Sequence, residues 1–178
     1  MPEKKAVVFC SASFDIDERF NDLARDVVRI LFGCGYGMVS GGTVKGTMNV
    51  IAGEALRLGM EHKGVLPVFM KGVEYRGLTE LVWTETMAER KEEMRAGTCL
   101  AVALPGGIGT LDEVIETLTL AKLGRYPGKV VAFNFEGFYE PLKALLDHYV
   151  ETGMLDEGSR AMIRFPKTVE RMMEEISK

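Results

Sequence analysis

The chain has 178 residues, a size that predicts one domain over 1–178, and 47% hydrophobic with 27% charged residues is enough for a core and a wet surface, against wholesale disorder. The net charge of −4 disfavours a broad nucleic-acid surface. Cys10, Cys34 and Cys99 form neither a disulfide framework nor a zinc spacing, and two histidines are too few for a His-built metal centre.

No segment has the roughly 18 consecutive apolar residues of a membrane helix. The short run Ala6–Cys10 after Lys4 and Lys5 passes directly into serines, a poor signal peptide. A cytoplasmic protein, with no membrane or nucleic-acid partner, is the expectation.

Ala6–Cys10 reads as a buried strand. Asp15–Asp17 offers a helix start, and Phe20, Leu23, Ala24, Val27, Val28 and Leu31 recur at helical spacing. Gly33, Gly35 and Gly37 release the chain into a strand at Met38–Ser40. A helix over Gly46–Leu58 follows, ended by Gly59. Gly64–Val68 and Leu81–Thr84 are strands, and Thr86–Ala96 is a charged helix. Cys99–Leu104 is an almost wholly apolar strand, with a helix starting near Leu111. Val130–Phe133 is a strand, and helices at Phe138–Val150 and Val169–Ile176 close the chain. Arg125–Lys129 reads as a surface loop.

This rhythm predicts an α/β three-layer, Rossmann-like fold, its mostly parallel sheet flanked by helices. Ligands in such folds sit at the carboxyl ends of strands, where both glycine clusters fall.

The first cluster, Gly41-Gly42-Thr43-Val44-Lys45-Gly46, can present backbone N–H groups to an anion, or can be a turn for close backbone packing. It is neither a Walker A loop nor a dinucleotide fingerprint. The second is Pro105-Gly106-Gly107-Ile108-Gly109-Thr110, then Glu113. Thr110 and Glu113 have capping-box spacing; alternatively Glu113 faces the sugar of a nucleotide whose phosphate lies at the helix start. Arg90 and Lys91 are either salt-bridged helix surface or, for Arg90, a clamp on phosphate or leaving group. Met87 and Met94, seven apart, suit anchoring of that helix to the core. Ser11 and Ser13 either touch the same ligand or cap the turn. His62 and His148 have no partner pattern and read as structural or exposed.

These residues resemble the Lonely Guy family of cytokinin-activating phosphoribohydrolases, whose members were often labelled possible lysine decarboxylases. Pro105–Glu113 matches the family's P-G-G-x-G-T-x-x-E, and Met87-Ala88-Glu89-Arg90-Lys91-Glu92-Glu93-Met94 matches its Arg-Lys motif. Phe9–Ser13, Gly41-Gly42, Gly46-Thr47-Met48, Gly64–Pro67 and Gly137-Phe138-Tyr139 also fit, in order. Ala88 stands where many members have His, Thr43 replaces a third Gly, and Ser11 and Thr47 are atypical. All four positions are expected around the pocket.

The resemblance implies hydrolysis of the N-glycosidic bond of a purine nucleoside 5'-monophosphate, either a cytokinin riboside 5'-monophosphate or AMP, to free base and ribose 5-phosphate. It also implies a homodimer. A non-catalytic nucleotide or phosphorylated-cofactor carrier is the alternative. Glu113 would stabilise the cationic sugar and orient water, and Arg90 would hold phosphate or departing base. Ser11, Ser13, Gly41, Gly42, Thr43, Lys91, Gly106, Gly107, Gly109, Thr110 and Glu116 are the expected substrate-binding set; Glu116, one turn from Glu113, either shares its face or is solvent-exposed. No step calls for a metal or a cofactor. Lysine decarboxylation ordinarily requires an electron sink such as PLP, and neither Lys45 nor Lys91 has an identifiable apolar site in the sequence.

Overall fold

A computed structural model describes residues 4–177. Seven strands form one sheet: β1 (Lys4–Phe9), β2 (Tyr36–Ser40), β3 (His62–Pro67), β4 (Glu80–Thr84), β5 (Leu100–Ala103), β6 (Lys129–Ala132) and β7 (Ile163–Arg164). Their order is β4-β3-β2-β1-β5-β6-β7, and every pairing is parallel. The helices are α1 (Glu18–Gly33), α2 (Gly46–Leu58), α3 (Met87–Arg95), α4 (Ile108–Lys122), α5 (Glu140–Glu151), α6 (Glu157–Arg160) and α7 (Val169–Ser177). The expected α/β three-layer architecture is present, wholly parallel rather than mostly so.

Side chains alternate across a strand, so each buried strand feeds two cores. Ala6 and Val8 join Leu100 and Val102 under α1, α2 and α7, with Leu23, Val27, Ile51 and Met172. Val7 and Phe9 join Ala101 and Ala103 on the other face, with Met94 of α3, Val114 and Leu118 of α4 and Leu146 of α5. This two-sided burial explains why β1 and β5 read as unbroken apolar runs.

Local chemistry sets the helix ends. Asp17 accepts from the Arg19 N–H at 3.1 Å and starts α1. Gly59, in the left-handed region at φ 66°, ends α2. Thr86 and Glu89 form a complete capping box at the start of α3. α4 begins at Ile108, three residues before the expected start, with Gly107 as its N-cap. Thr110 and Glu113 are therefore interior helix residues and do not form a capping box. Tyr126 is buried against Thr98, so the Arg125–Lys129 loop is anchored rather than purely superficial.

Between α1 and α2, buried Glu54 takes hydrogen bonds from Arg57 at 2.6 Å and Arg29 at 2.7 Å. The Arg57 bond, then Arg29, hold its carboxyl down at about 2 against the opposing effect of burial. A depressed folded-state value means this link stabilises fully above the ordinary carboxylate range. The contribution is lost progressively as pH falls from the ordinary carboxylate range through about 2.

Candidate functional site

The strand order reverses direction at β1. From there the chain moves outward through β2, β3 and β4, then returns to place β5 on the other side. Such a switch point leaves a crevice beyond the carboxyl ends of the two central strands. A cavity of about 370 Å³ lies there, walled by the residues after β1, the glycine loop after β2, the start of α4 and one face of α3.

Arg90 and Glu113 meet in this cavity. Arg90 Nη1 lies 3.3 Å from Glu113 Oε1, and the residues are 7% and 8% exposed. Arg90 Nε donates to the Val65 carbonyl of β3 at 3.0 Å. Gly41 forms the surface against the guanidinium: a Cβ there would overlap Arg90 Nη2. Burial pushes the Glu113 carboxyl up to about 7; the attraction of Arg90 opposes this without cancelling it, and Asp112 adds repulsion. The loss of hydration therefore outweighs a single cation at 3.3 Å.

The other expected residues divide into two groups. Ser11, Ser13, Gly41, Thr43, Gly107, Gly109 and Thr110 line the same cavity. Ser11 Oγ accepts the Ser13 N–H at 3.0 Å, which folds the turn after β1. Thr110 donates its hydroxyl to the Cys10 carbonyl at 3.0 Å, so it ties α4 to β1. Gly42 and Gly106 lie behind the wall, Gly42 against Gly64 and Leu66 of β3 and Gly106 against the Thr110 side chain.

Lys91 and Glu116 are not in the cavity. They pair with each other at 2.5 Å; Lys91 also reaches Asp112 at 2.9 Å, and Glu116 takes a hydrogen bond from Arg95 at 3.0 Å. The reason is helical geometry. Lys91 lies about 100° round α3 from Arg90 and Glu116 about 60° round α4 from Glu113, an offset that leaves Arg90 and Glu113 on the crevice while Lys91 and Glu116 clamp α3 to α4 beside it. Hydrogen bonds that Lys91 donates to Glu116 and Asp112 raise its ammonium above its ordinary value. A cation held in that way is a poor amine nucleophile, which disfavours a Schiff-base role.

The atypical positions divide as well. Ser11 and Thr43 line the cavity, but Thr47 faces α1, its hydroxyl 3.2 Å from Asn21 Oδ1. Ala88 lies outside it, on a separate cavity of about 610 Å³ with Glu92 and Arg95, which follow it at four and seven residues on the same helix face. The expectation that all four surround the pocket is therefore corrected. Both methionines line the cavity, Met94 as buried core and Met87 with 42% of its surface exposed.

Cys10, Met48 and Met70 also line the cavity and were missed as site residues. Met48 sits inside a recognised motif, a signal that was available. Met70 had no such signal. It arrives because the segment after β3 folds back onto the glycine loop, where the Val44 N–H donates to Val73 O and the Tyr75 N–H to Gly42 O, both at 2.8 Å. Burial pushes the Cys10 thiol up, with Glu113 adding to the effect; such a thiol is inert at neutral pH.

Residues 48–176 match the family described as possible lysine decarboxylase. A probable cytokinin riboside 5'-monophosphate phosphoribohydrolase of Oryza sativa subsp. japonica is 31% identical over 175 residues, 97% of this chain and 83% of that protein. A cytokinin riboside 5'-monophosphate phosphoribohydrolase of Arabidopsis thaliana is 31% identical over 159 residues, covering 88% and 70%. Among solved structures, the molybdenum cofactor carrier protein of Chlamydomonas reinhardtii is similar in fold, with a TM-score of 0.72, 18% identity and coverage of 97% and 95%. The molybdenum cofactor binding protein of Rippkaea orientalis is similar too, with a TM-score of 0.70, 17% identity and coverage of 97% and 95%. The sequence comparisons place this chain in the possible lysine decarboxylase family, the Lonely Guy family to which the cytokinin riboside 5'-monophosphate phosphoribohydrolases belong.

Proposed function

We propose that the chain hydrolyses the N-glycosidic bond of a purine nucleoside 5'-monophosphate, a cytokinin riboside 5'-monophosphate or AMP, giving the free base and ribose 5-phosphate. The observation that carries this reading is the buried Arg90–Glu113 pair in a cavity bounded by both glycine loops. Breaking the ribosyl C–N bond builds positive charge on the sugar and negative charge on the base. The Glu113 carboxylate stabilises the first and orients the attacking water. Water supplies hydroxyl to C1′ and a proton to the base. Arg90 neutralises the departing base or holds the phosphate. The start of α4 has no side-chain cap, so its N–H groups are available to the 5′-phosphate. Remote phosphate binding then aligns C1′ with Glu113. Lys91, Arg95 and Glu116 serve this chemistry by fixing α3 against α4.

The decisive assay is product analysis with AMP and isopentenyl-AMP. Free base with ribose 5-phosphate supports the reading. Saturable nucleotide binding without product favours the carrier alternative.

The pH profile follows from the buried carboxylate. Glu113 acts ionised, and its value is raised to about 7. The expected kcat/KM falls about tenfold per unit below that midpoint and levels off above it. Stability runs the other way. A raised folded-state value means a contribution fully present below the unfolded carboxylate value and lost as pH rises through about 7. Activity is thus expected to improve over the interval in which this group costs stability. A flat rate profile from pH 5 to 8 would contradict the assignment.

The proposed homodimer has a suitable face. Leu111 and Ile115 of α4 and Leu145 and Tyr149 of α5 are 42%, 37%, 45% and 41% exposed and line one apolar groove, a surface of the kind that marks an interface. Sedimentation equilibrium is expected to give about twice the chain mass of 19.7 kDa, and Ile115→Asp to shift it to one.

A further inference from the structure

The glycine loop after β2 is held from β3 as well. Ser40, the last residue of β2, is fully buried, and its Oγ accepts the Gly42 N–H at 3.1 Å. The same Oγ shares a hydrogen bond with His62 Nε2 at 2.7 Å. His62 opens β3 and is 1% exposed. Its own backbone is pinned by Thr79, whose Oγ1 accepts the His62 N–H at 2.8 Å and whose N–H donates to the His62 carbonyl at 3.0 Å. Burial pushes the imidazole down to about 4, so it is neutral at working pH.

The loop leads to Arg90. Gly41 packs against the guanidinium so closely that a Cβ would collide with it. Arg90 Nε is held by Val65, three residues beyond His62 on the same strand. β3 thus locates Arg90 twice: directly through a carbonyl, and indirectly through His62, Ser40 and Gly42.

His62 Nδ1 is buried without a hydrogen-bond partner. An apolar side chain of similar size would avoid that cost. The imidazole is therefore a poor choice for packing alone. What it provides is a partner that fixes the Ser40 hydroxyl, and that hydroxyl is the acceptor for the Gly42 amide.

We infer that His62 is a positioning residue for the reaction: through Ser40 it holds the Gly41–Gly42 backbone where Arg90 can meet Glu113. This rests on the phosphoribohydrolase reading. A misplacement of about 1 Å in a charged group is enough to cost about a hundredfold in turnover.

The test compares His62→Leu, His62→Gln and Ser40→Ala with the unaltered protein, by steady-state kinetics on AMP and isopentenyl-AMP and by amide hydrogen exchange at Gly42. His62→Leu is expected to lower kcat roughly tenfold to a hundredfold with little change in KM. Its melting temperature should stay near the original, because the unpaired Nδ1 is removed. Gln can reach Ser40 and should recover most of the rate. Gly42 exchange should accelerate in His62→Leu and slow again in His62→Gln. Ser40→Ala reads the same link from its other end and serves if the Leu variant does not fold. An active enzyme whose kcat and Gly42 exchange are unchanged by His62→Leu and Ser40→Ala overturns the inference. Absence of turnover in the unaltered protein overturns the functional reading instead, and the exchange measurement still decides whether His62 holds Gly42.

Discussion

Replacing Glu113 by Gln is expected to lower kcat by about a hundredfold to a thousandfold while leaving nucleotide affinity within a few-fold. The amide keeps the shape and the hydrogen-bonding reach of the carboxylate, so the cavity and its glycine loops remain. What disappears is the negative charge opposite the developing cation on the ribose. Preorganised charge in a buried site is worth roughly 3–4 kcal/mol of barrier, which converts to that range of rate. The pH profile provides a second readout. The residual activity of the Gln variant should no longer rise through pH 7, because the titrating group has gone. Calorimetric binding of AMP, measured beside turnover, separates lost chemistry from lost fold. Near-normal turnover in the variant would sink the assigned mechanism.

Removing the other member of the pair should have a comparable effect through a different route. Arg90→Ala takes away the hydrogen-bonded cation at 3.3 Å from Glu113. Arg90 is the chief influence holding the Glu113 carboxyl down against burial, so without it the carboxyl should titrate still higher. The variant is expected to lose at least about a hundredfold in kcat/KM at pH 7. Its remaining activity should show a midpoint displaced to higher pH. Glu113→Gln abolishes the titration, whereas Arg90→Ala moves it. The pair of profiles therefore distinguishes an electrostatic partnership from two independent contacts. An unmoved midpoint in Arg90→Ala would show that Arg90 does not tune Glu113.

Much of the fold was legible because its signals are local. Ala6–Phe9 and Leu100–Ala103 are uniformly apolar since helices cover both of their faces. Leu23, Val27 and Leu31 keep helical spacing because α1 presents one side to the sheet. Two elements escaped notice: α6 has four residues and β7 two. Neither is long enough to show a period, and β7 exists by pairing with β6. The start of α4 was misplaced because Ile108-Gly109-Thr110 reads as loop. Its backbone nevertheless turns helical directly after Gly107.

The site was legible only in part. The motif Pro105–Glu113 and the Arg90-Lys91 pair stand out in the sequence, and the strand–helix alternation places both glycine clusters at strand ends. Those features determined the fold class, the crevice edge and the choice of Arg90 and Glu113. Sequence alone left three matters open, and side-chain direction in the folded chain decided them. Lys91 and Glu116 turn away from the cavity into an ion-pair clamp. Ala88 faces a second cavity. His62, which has no partner pattern in the sequence, reaches Ser40, 22 residues away, diagonally between the paired strands β2 and β3. Spacing along a chain reports which residues share an element. Which group faces a site, and which buried polar atom finds a partner, depends on how β2, β3, α3 and α4 pack together, and those contacts join residues that local periodicity does not connect.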